Sequence, residues 1–217
     1  MHRVAAVNDQ YFAVSALEQE AQGYQWPKGV IEKAEDLKAP GGFVFVRTGG
    51  LVIKRRVLLQ EDMLYRFAAR RYLGQGVDAL VPLLNSPWWM NDDRMVLLLS
   101  RARSAGVPLV EMARRQLALP LAWTECDILV RARTKPRLVL AAHAGPGRTA
   151  QVKTQDGVVT ESYTIATEAP HLFMDQLYVP GLGRHFALGG AGETNARAWF
   201  DLSTTAAFDP RARGLNP

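Results

Sequence analysis

A single cysteine, Cys126, excludes a disulfide within the chain and any zinc site built from several thiolates. Long apolar runs are missing too. The longest, such as Met95 to Leu99, fall far short of the roughly 20 residues that a membrane-spanning helix requires. The first ten residues hold no apolar signal segment, so no membrane association is expected and the chain reads as cytoplasmic. Histidine is scarce: His143, His171 and His185 stand at no metal-ligand spacing, and no metal or other cofactor is expected. No Gly-Lys-Ser/Thr follows a glycine-rich stretch, which excludes a P-loop.

What the chain has in quantity is arginine. Of its 26 Lys and Arg residues, 18 lie between Arg47 and Lys153 against 8 acidic residues in the same stretch, so the middle is strongly basic and the flanks are net acidic. Only Lys54, Lys135 and Lys153 in that block are lysines. Guanidinium groups meet phosphate bidentately and stack on bases, which points to a polyanionic partner. GC-rich coding also favours Arg over Lys, so the bias has a second, non-functional source.

With 48% hydrophobic and 22% charged residues the chain has the balance of an ordinary globular protein. No linker divides it. It is expected to form one α+β domain over 1–217: helix-rich over 1–120, strand-rich over 121–205, with an irregular tail over 206–217. A short strand at Arg3 to Val7 precedes a helix capped by Asn8 or Asp9 and ending at Gly23. A short helix is expected at Ile31 to Leu37. Phe43 to Arg47 and Leu51 to Leu58 read as a hairpin about Thr48-Gly49-Gly50. Glu61-Asp62 opens a helix with a Met63, Leu64, Phe67, Ala68 stripe, which would place Arg66 and Arg70 one turn apart on its outer face. Trp88-Trp89-Met90 falls in a loop or at a helix entrance. A helix follows from Asp92-Asp93 to Gly106, and another from Pro108 to Leu117.

From Ala122 the period changes to two. Ile128 to Arg133 and Arg137 to Ala142 read as a hairpin about Thr134-Lys135-Pro136, and Thr149 to Lys153 with Val158 to Ile165 as a second; Ala196 to Leu202 is a last strand. The expected architecture is therefore an antiparallel sheet of hairpins in the C-terminal half, with the helical N-terminal and middle regions packed on one face.

Alternation sends Arg131 and Arg133 to one side of their strand, and Lys54 with Arg56 to one side of theirs. With Arg66 and Arg70 they form the candidate nucleic-acid surface, with Tyr163 and Trp123 as stacking partners. The competing arrangement is neutralisation by Glu125, Asp127 and Glu161 on neighbouring strands. Gly181-Leu182-Gly183-Arg184-His185, continuing to Gly189-Gly190-Ala191-Gly192, is the second candidate: its glycines let backbone amides approach phosphate, and Arg184 and His185 supply donors. Over about a dozen residues it resembles the glycine-rich loop of the repeat-associated RNA-binding proteins of CRISPR systems. Gly181, Gly183 and Gly189 match that pattern, while Ala191 replaces its last glycine and Gly192 is one place late. Gly145-Pro146-Gly147-Arg148 turns the chain or binds an anion.

Catalytic arrangements are thin. Cys126 lies between Glu125 and Asp127, which disfavour a thiolate. The run from Glu125 resembles the restriction-endonuclease-like core, but Ala141-Ala142-His143 stands where a carboxylate and a lysine are required. The leading expectation is a non-enzymatic RNA- or DNA-binding subunit of a larger complex with protein partners. A structural or assembly protein using Trp88-Trp89 and the tail as contact surfaces is the alternative. The third is an enzyme acting on a nucleotide or nucleic acid through His143, Arg184 and His185.

Overall fold

A computed structural model of the chain describes residues 5–27, 36–38, 44–52, 54–121, 123–148, 150–153, 159–163, 174–184, 193–212 and 214–215. In chain order the elements are α1 (Ser15–Gln22), β1 (Tyr24–Pro27), β2 (Asp36–Lys38), β3 (Val44–Thr48), β4 (Arg55–Gln60), β5 (Met63–Ala68), α2 (Val81–Leu84), β6 (Trp88–Asn91), α3 (Asp92–Ala105), α4 (Leu109–Leu117), β7 (Ile128–Thr134), β8 (Val139–Pro146), β9 (Ala150–Lys153), β10 (Val159–Tyr163), β11 (Asp175–Tyr178), α5 (Asn195–Trp199) and β12 (Phe200–Phe208). Short 3-10 turns occur at Asp9–Ala13, Arg70–Tyr72 and Gly76–Asp78.

Seven strands form one antiparallel, curled sheet in the order β12-β7-β5-β6-β11-β8-β4, and β1-β3-β2 and β10-β9 form two small sheets. The curl has a local cause. Residues 55–68 and 128–146 are two long strands, each bent at one point: Gln60 pairs with Val139 before the bend and Met63 with Arg133 after it. Glu61 and Arg137 take positive φ (55° and 65°) at the corner. There Asp62 and Thr134 lock together, the Thr134 amide donating to the Asp62 carbonyl at 3.1 Å and the Asp62 amide to the Thr134 hydroxyl at 3.1 Å. The bend opens a gap between β5 and β8, and β6 and β11 fill it.

Alternation divides the apolar residues between two faces. On one face Leu64, Trp89, Val130, Ala132, Leu140, Ala142 and Leu177 pack with the short helices α2 and α5. On the other, Phe67, Met90 and Leu129 lie under α3 and α4, and Tyr178 lies with Ala21 of α1. The N-terminal and middle helices α1, α3 and α4 therefore share one face of the sheet, as expected. α3 begins where the Asn91 side chain accepts from the Arg94 amide and ends at Gly106 in the left-handed region, φ 63°. α4 buries Leu109, Val110, Met112, Ala113, Gln116 and Leu117, the spacing of one helical face.

Several local expectations are corrected. The segment after Glu61 is strand β5, not a helix, because β6 and β7 flank it on both sides and its stripe also satisfies a two-residue period. β3 does not pair with β4, nor β7 with β8; Thr134-Lys135-Pro136 carries the chain around the corner instead of reversing it. Trp88-Trp89-Met90 is strand β6, and Trp89 is core, 3% exposed. Asp36–Lys38 is strand, residues 31–35 lie outside the described residues, and α5 occupies the first half of the expected last strand. The hairpin of β9 and β10 is present, Lys153 opposite Val159. No helix among the described residues is long and apolar enough to cross a membrane.

Candidate functional site

The sheet parts locally. β5 pairs with β6 only at Leu64 opposite Asn91 and Tyr65 opposite Met90. Beyond that point β5 stays with β7 through Ala68, while Trp89 and Trp88 turn to Leu177 and Tyr178 of β11. Arg66 and Trp89, the next partners in register, therefore stand on the two lips of a split.

A cavity of about 570 Å³ opens at this split, within the range of roughly 300–1,000 Å³ common for small-ligand sites. Tyr65, Arg66 and Phe67 of β5, Trp88, Trp89 and Met90 of β6 and Gln176 of β11 line it from the sheet. Leu117, Ala118, Leu119, Trp123 and Thr124 form one wall; Glu20, Gly49, Gly50 and Arg148 form another. The lining is mainly aromatic and apolar, with a few polar groups.

Each wall has a visible support. α4 ends at Ala118 in the left-handed region (φ 49°), and buried Arg114 reaches past it, donating to the Leu119 carbonyl at 2.8 Å and the Thr124 carbonyl at 2.9 Å. The Gln176 amide donates to the Leu117 carbonyl at 3.2 Å, tying α4 to β11. In the other wall Gly50 backs onto Gly23 so closely that a Cβ would sit 2.2 Å from its nitrogen, and the two walls meet where the Trp123 ring lies against Gly49. Both residues have positive φ, and the Leu51 amide donates to the Ala21 carbonyl at 2.8 Å. Tyr65 donates to Asp92 Oδ1 at 2.9 Å; burial and then this carboxylate raise its phenol above its ordinary pKa.

Arg66 stands at the lip of the split, and like Arg131 it has a buried Nε without a hydrogen-bond partner. Its guanidinium donates to the Leu83 carbonyl and lies 5.7 Å from the centre of the Trp89 ring. No carboxylate pairs with it among the described residues. Burial lowers its pKa to about 10.

The other expected binding residues are dispersed. Lys54 pairs with Glu18 at 2.7 Å, Arg56 with Asp9 at 2.5 Å, and Arg70 with Asp127 at 4.0 Å. Arg56 also lies over Phe12, 5.5 Å from its ring centre. Arg131 and Arg133 oppose Tyr65 and Met63 across the β5–β7 ladder, which puts them on the face that carries the cavity floor. Arg131 covers the Phe208 ring at 5.1 Å, and Arg133 is exposed with no ion pair among the described residues. Arg184 is likewise exposed without an ion pair among them.

Gly181 and Gly183 are engaged with the protein itself. A Cβ on Gly181, at φ 92°, would meet the Tyr11 ring at 2.4 Å, and one on Gly183 would sit 3.0 Å from the Asn85 carbonyl. Asn195 bonds both the Tyr11 hydroxyl and the Gly181 carbonyl at 2.8 Å, completing this junction. His185, Gly189, Gly190 and the Tyr163 side chain lie outside what the structure describes.

His143 is half-buried between Phe12, 4.5 Å between ring centres, and Tyr178 at 6.3 Å, outside the cavity. Cys126 is buried, and burial raises its thiol pKa, away from a nucleophile's range. Among the described residues no cluster of His, Cys, Asp or Glu suits a metal ion. Sequence reasoning picked out Arg66, Trp88, Trp123 and Arg148 separately but missed Tyr65, Phe67, Glu20 and Gln176. Their common signal, the split of β5 from β6, depends on pairing between distant segments. Comparison with protein-family models, curated proteins and solved structures finds no match to this chain.

Proposed function

We propose that this protein binds single-stranded nucleic acid, RNA or DNA, by taking an unstacked base into the cavity at the β5/β6 split. The observation that carries this reading is the aromatic lining: Tyr65, Phe67, Trp88 and Trp123 border a volume suited to one base and its sugar. Stacking on such rings contributes about 1–3 kcal/mol per base and tolerates any sequence. Arg131 and Arg133, beside Tyr65 and Met63 on the same sheet face, suit the phosphates of a strand running along β7 from the cavity. The lining offers surfaces for holding a ligand, and the reading is of a binding subunit of a larger cytoplasmic assembly.

The test is quenching of tryptophan fluorescence by short oligonucleotides at several salt concentrations. Trp88→Ala and Trp123→Ala are expected to weaken binding about tenfold or more each. Arg131→Gln with Arg133→Ala should reduce the salt slope by roughly 0.7 for each phosphate that is no longer neutralised. Oligonucleotide binding unchanged in all three variants would place the interface elsewhere; no binding at any salt would end the proposal.

A further inference from the structure

Arg66 lines the aromatic cavity at the split and has no ion pair among the described residues. It leaves the lip of the split partly buried, with one bond to the Leu83 carbonyl, the Trp89 ring 5.7 Å away, and a buried Nε with no acceptor. A guanidinium has five N–H donors and is always charged. Holding it beside apolar walls with a donor unused is unfavourable; buried Arg114, by contrast, spends its donors on two carbonyls, and the surface arginines Arg55, Arg71, Arg94 and Arg197 pair with carboxylates. The acidic residue that lines the cavity, Glu20, stands in the other wall and makes no ion pair with Arg66.

We infer that Arg66 is the receptor for the phosphate of the bound nucleotide, so that the cavity recognises a nucleoside monophosphate, either free or as the phosphorylated end of a strand. This rests on the reading of the cavity as a base site and adds to it a charge requirement. An oxyanion against the fork would accept from the unpartnered Nε–H and a neighbouring N–H together, the bidentate geometry that phosphate offers. The planar base would then lie against Trp88 and Trp123, with the Trp89 ring 5.7 Å from the guanidinium. Binding neutralises a charge that the folded protein otherwise holds uncompensated.

Adenosine, adenosine monophosphate, inorganic phosphate, and oligonucleotides with either a 5′-phosphate or a 5′-hydroxyl are titrated against the full chain and against Arg66→Met and Arg66→Lys. The monophosphate is expected to bind about ten- to a hundredfold tighter than the nucleoside, with inorganic phosphate weaker than either. Arg66→Met should bring the ratio of monophosphate to nucleoside affinity close to one, whatever it does to the nucleoside affinity itself. Arg66→Lys, which keeps the charge and loses the fork, should recover only part of the phosphate advantage. Thermal unfolding separates a receptor from a structural prop: the midpoint of Arg66→Met should hold or rise, because a lone, partly buried charge is removed. Preference of the wild type for both monophosphate and 5′-phosphorylated strand identifies a strand end as a ligand; preference for the monophosphate alone identifies a free nucleotide. Equal wild-type affinity for nucleoside and monophosphate, needing no variant, would overturn the inference. So would a phosphate preference surviving in Arg66→Met. Oligonucleotide binding indifferent to the terminal phosphate, with no monophosphate preference, would sink this inference and leave the base site standing, whereas silence toward every probe would remove both.

Discussion

Asn8 and Ala141, 133 positions apart, join side chain to backbone in a closed pair: the Asn8 amide donates to the Ala141 carbonyl at 2.8 Å, and the Ala141 amide donates to Asn8 Oδ1 at 2.8 Å. The same side-chain amide also reaches the Pro180 carbonyl at 3.2 Å, and Asn8 is fully buried. One carboxamide thus satisfies β8 from outside its ladder and anchors the chain's first segment to the segment after β11.

Replacing Asn8 with Ala leaves those backbone groups without partners in a dry setting. The expected loss is about 3 kcal/mol, a fall of about 6–12 °C in Tm for a chain of this size. Asn8→Asp should be no better, since it keeps the acceptor, removes the donor and buries a charge. Thermal and urea unfolding measure both.

Gly181→Ala is expected to cost about 2–4 kcal/mol, from positive φ and from the Tyr11 ring in the space a methyl would occupy. Tyr11→Ala in the same chain should recover the steric part only, because the backbone strain stays and the bond from Asn195 is lost. A double-mutant cycle in urea reads the difference; an additive pair would show that the ring is not the obstacle.

Arg114→Ala should loosen the wall of the cavity before it unfolds the protein. Both carbonyls that Arg114 holds, Leu119 and Thr124, flank Trp123, so the expected result is a red-shifted, more mobile tryptophan signal together with a stability loss of about 2–3 kcal/mol. Arg114→Lys should not restore the wall, since a single ammonium lacks the fork that spans the two acceptors. Hydrogen exchange over residues 119–124 checks this directly.

Stability should decline as the solution becomes mildly acidic. Burial first, then the nearby Lys54 and Arg56 cations, lower the pKa of His143 below its ordinary value, with Glu18 acting in the opposite sense. The folded state therefore disfavours the proton that the unfolded chain takes up near pH 6.5. Stability from this source is complete above that pH and is lost as pH falls toward and through the folded pKa. His143→Gln should flatten the decline between about pH 7 and 5. A wild type equally stable across that window would contradict the assignment.

Two helices, α3 and α4, were the most legible part of the sequence. The Asp92-Asp93 start, the Gly106 stop and Pro108 at the next first turn are local signals, and α3 and α4 follow them closely. The partners of the large sheet were not legible, because Thr134-Lys135-Pro136 looks like a reversal although the chain there turns a corner. Its direction depends on Asp62, 72 positions from Thr134. Six residues, Met63 to Ala68, fit both a helical stripe and an alternating strand, and only flanking strands decide between them. Arg66 stands out in the sequence for its charge, but its partial burial follows from that same decision. Many of the remaining arginines found carboxylates on neighbouring segments, an outcome that counting charge along the chain does not reveal.

The parting of β5 from β6 has a mechanical consequence. Each lip is already committed along its outer side, β5 to β7 and β6 to β11, so neither can swing across to zip the opening shut without tearing its own ladder. The hollow is thus held open by the frame around it whether or not anything occupies it. A guest arrives at a berth whose shape was settled when the chain folded, and little of its binding energy is diverted into moving the scaffold.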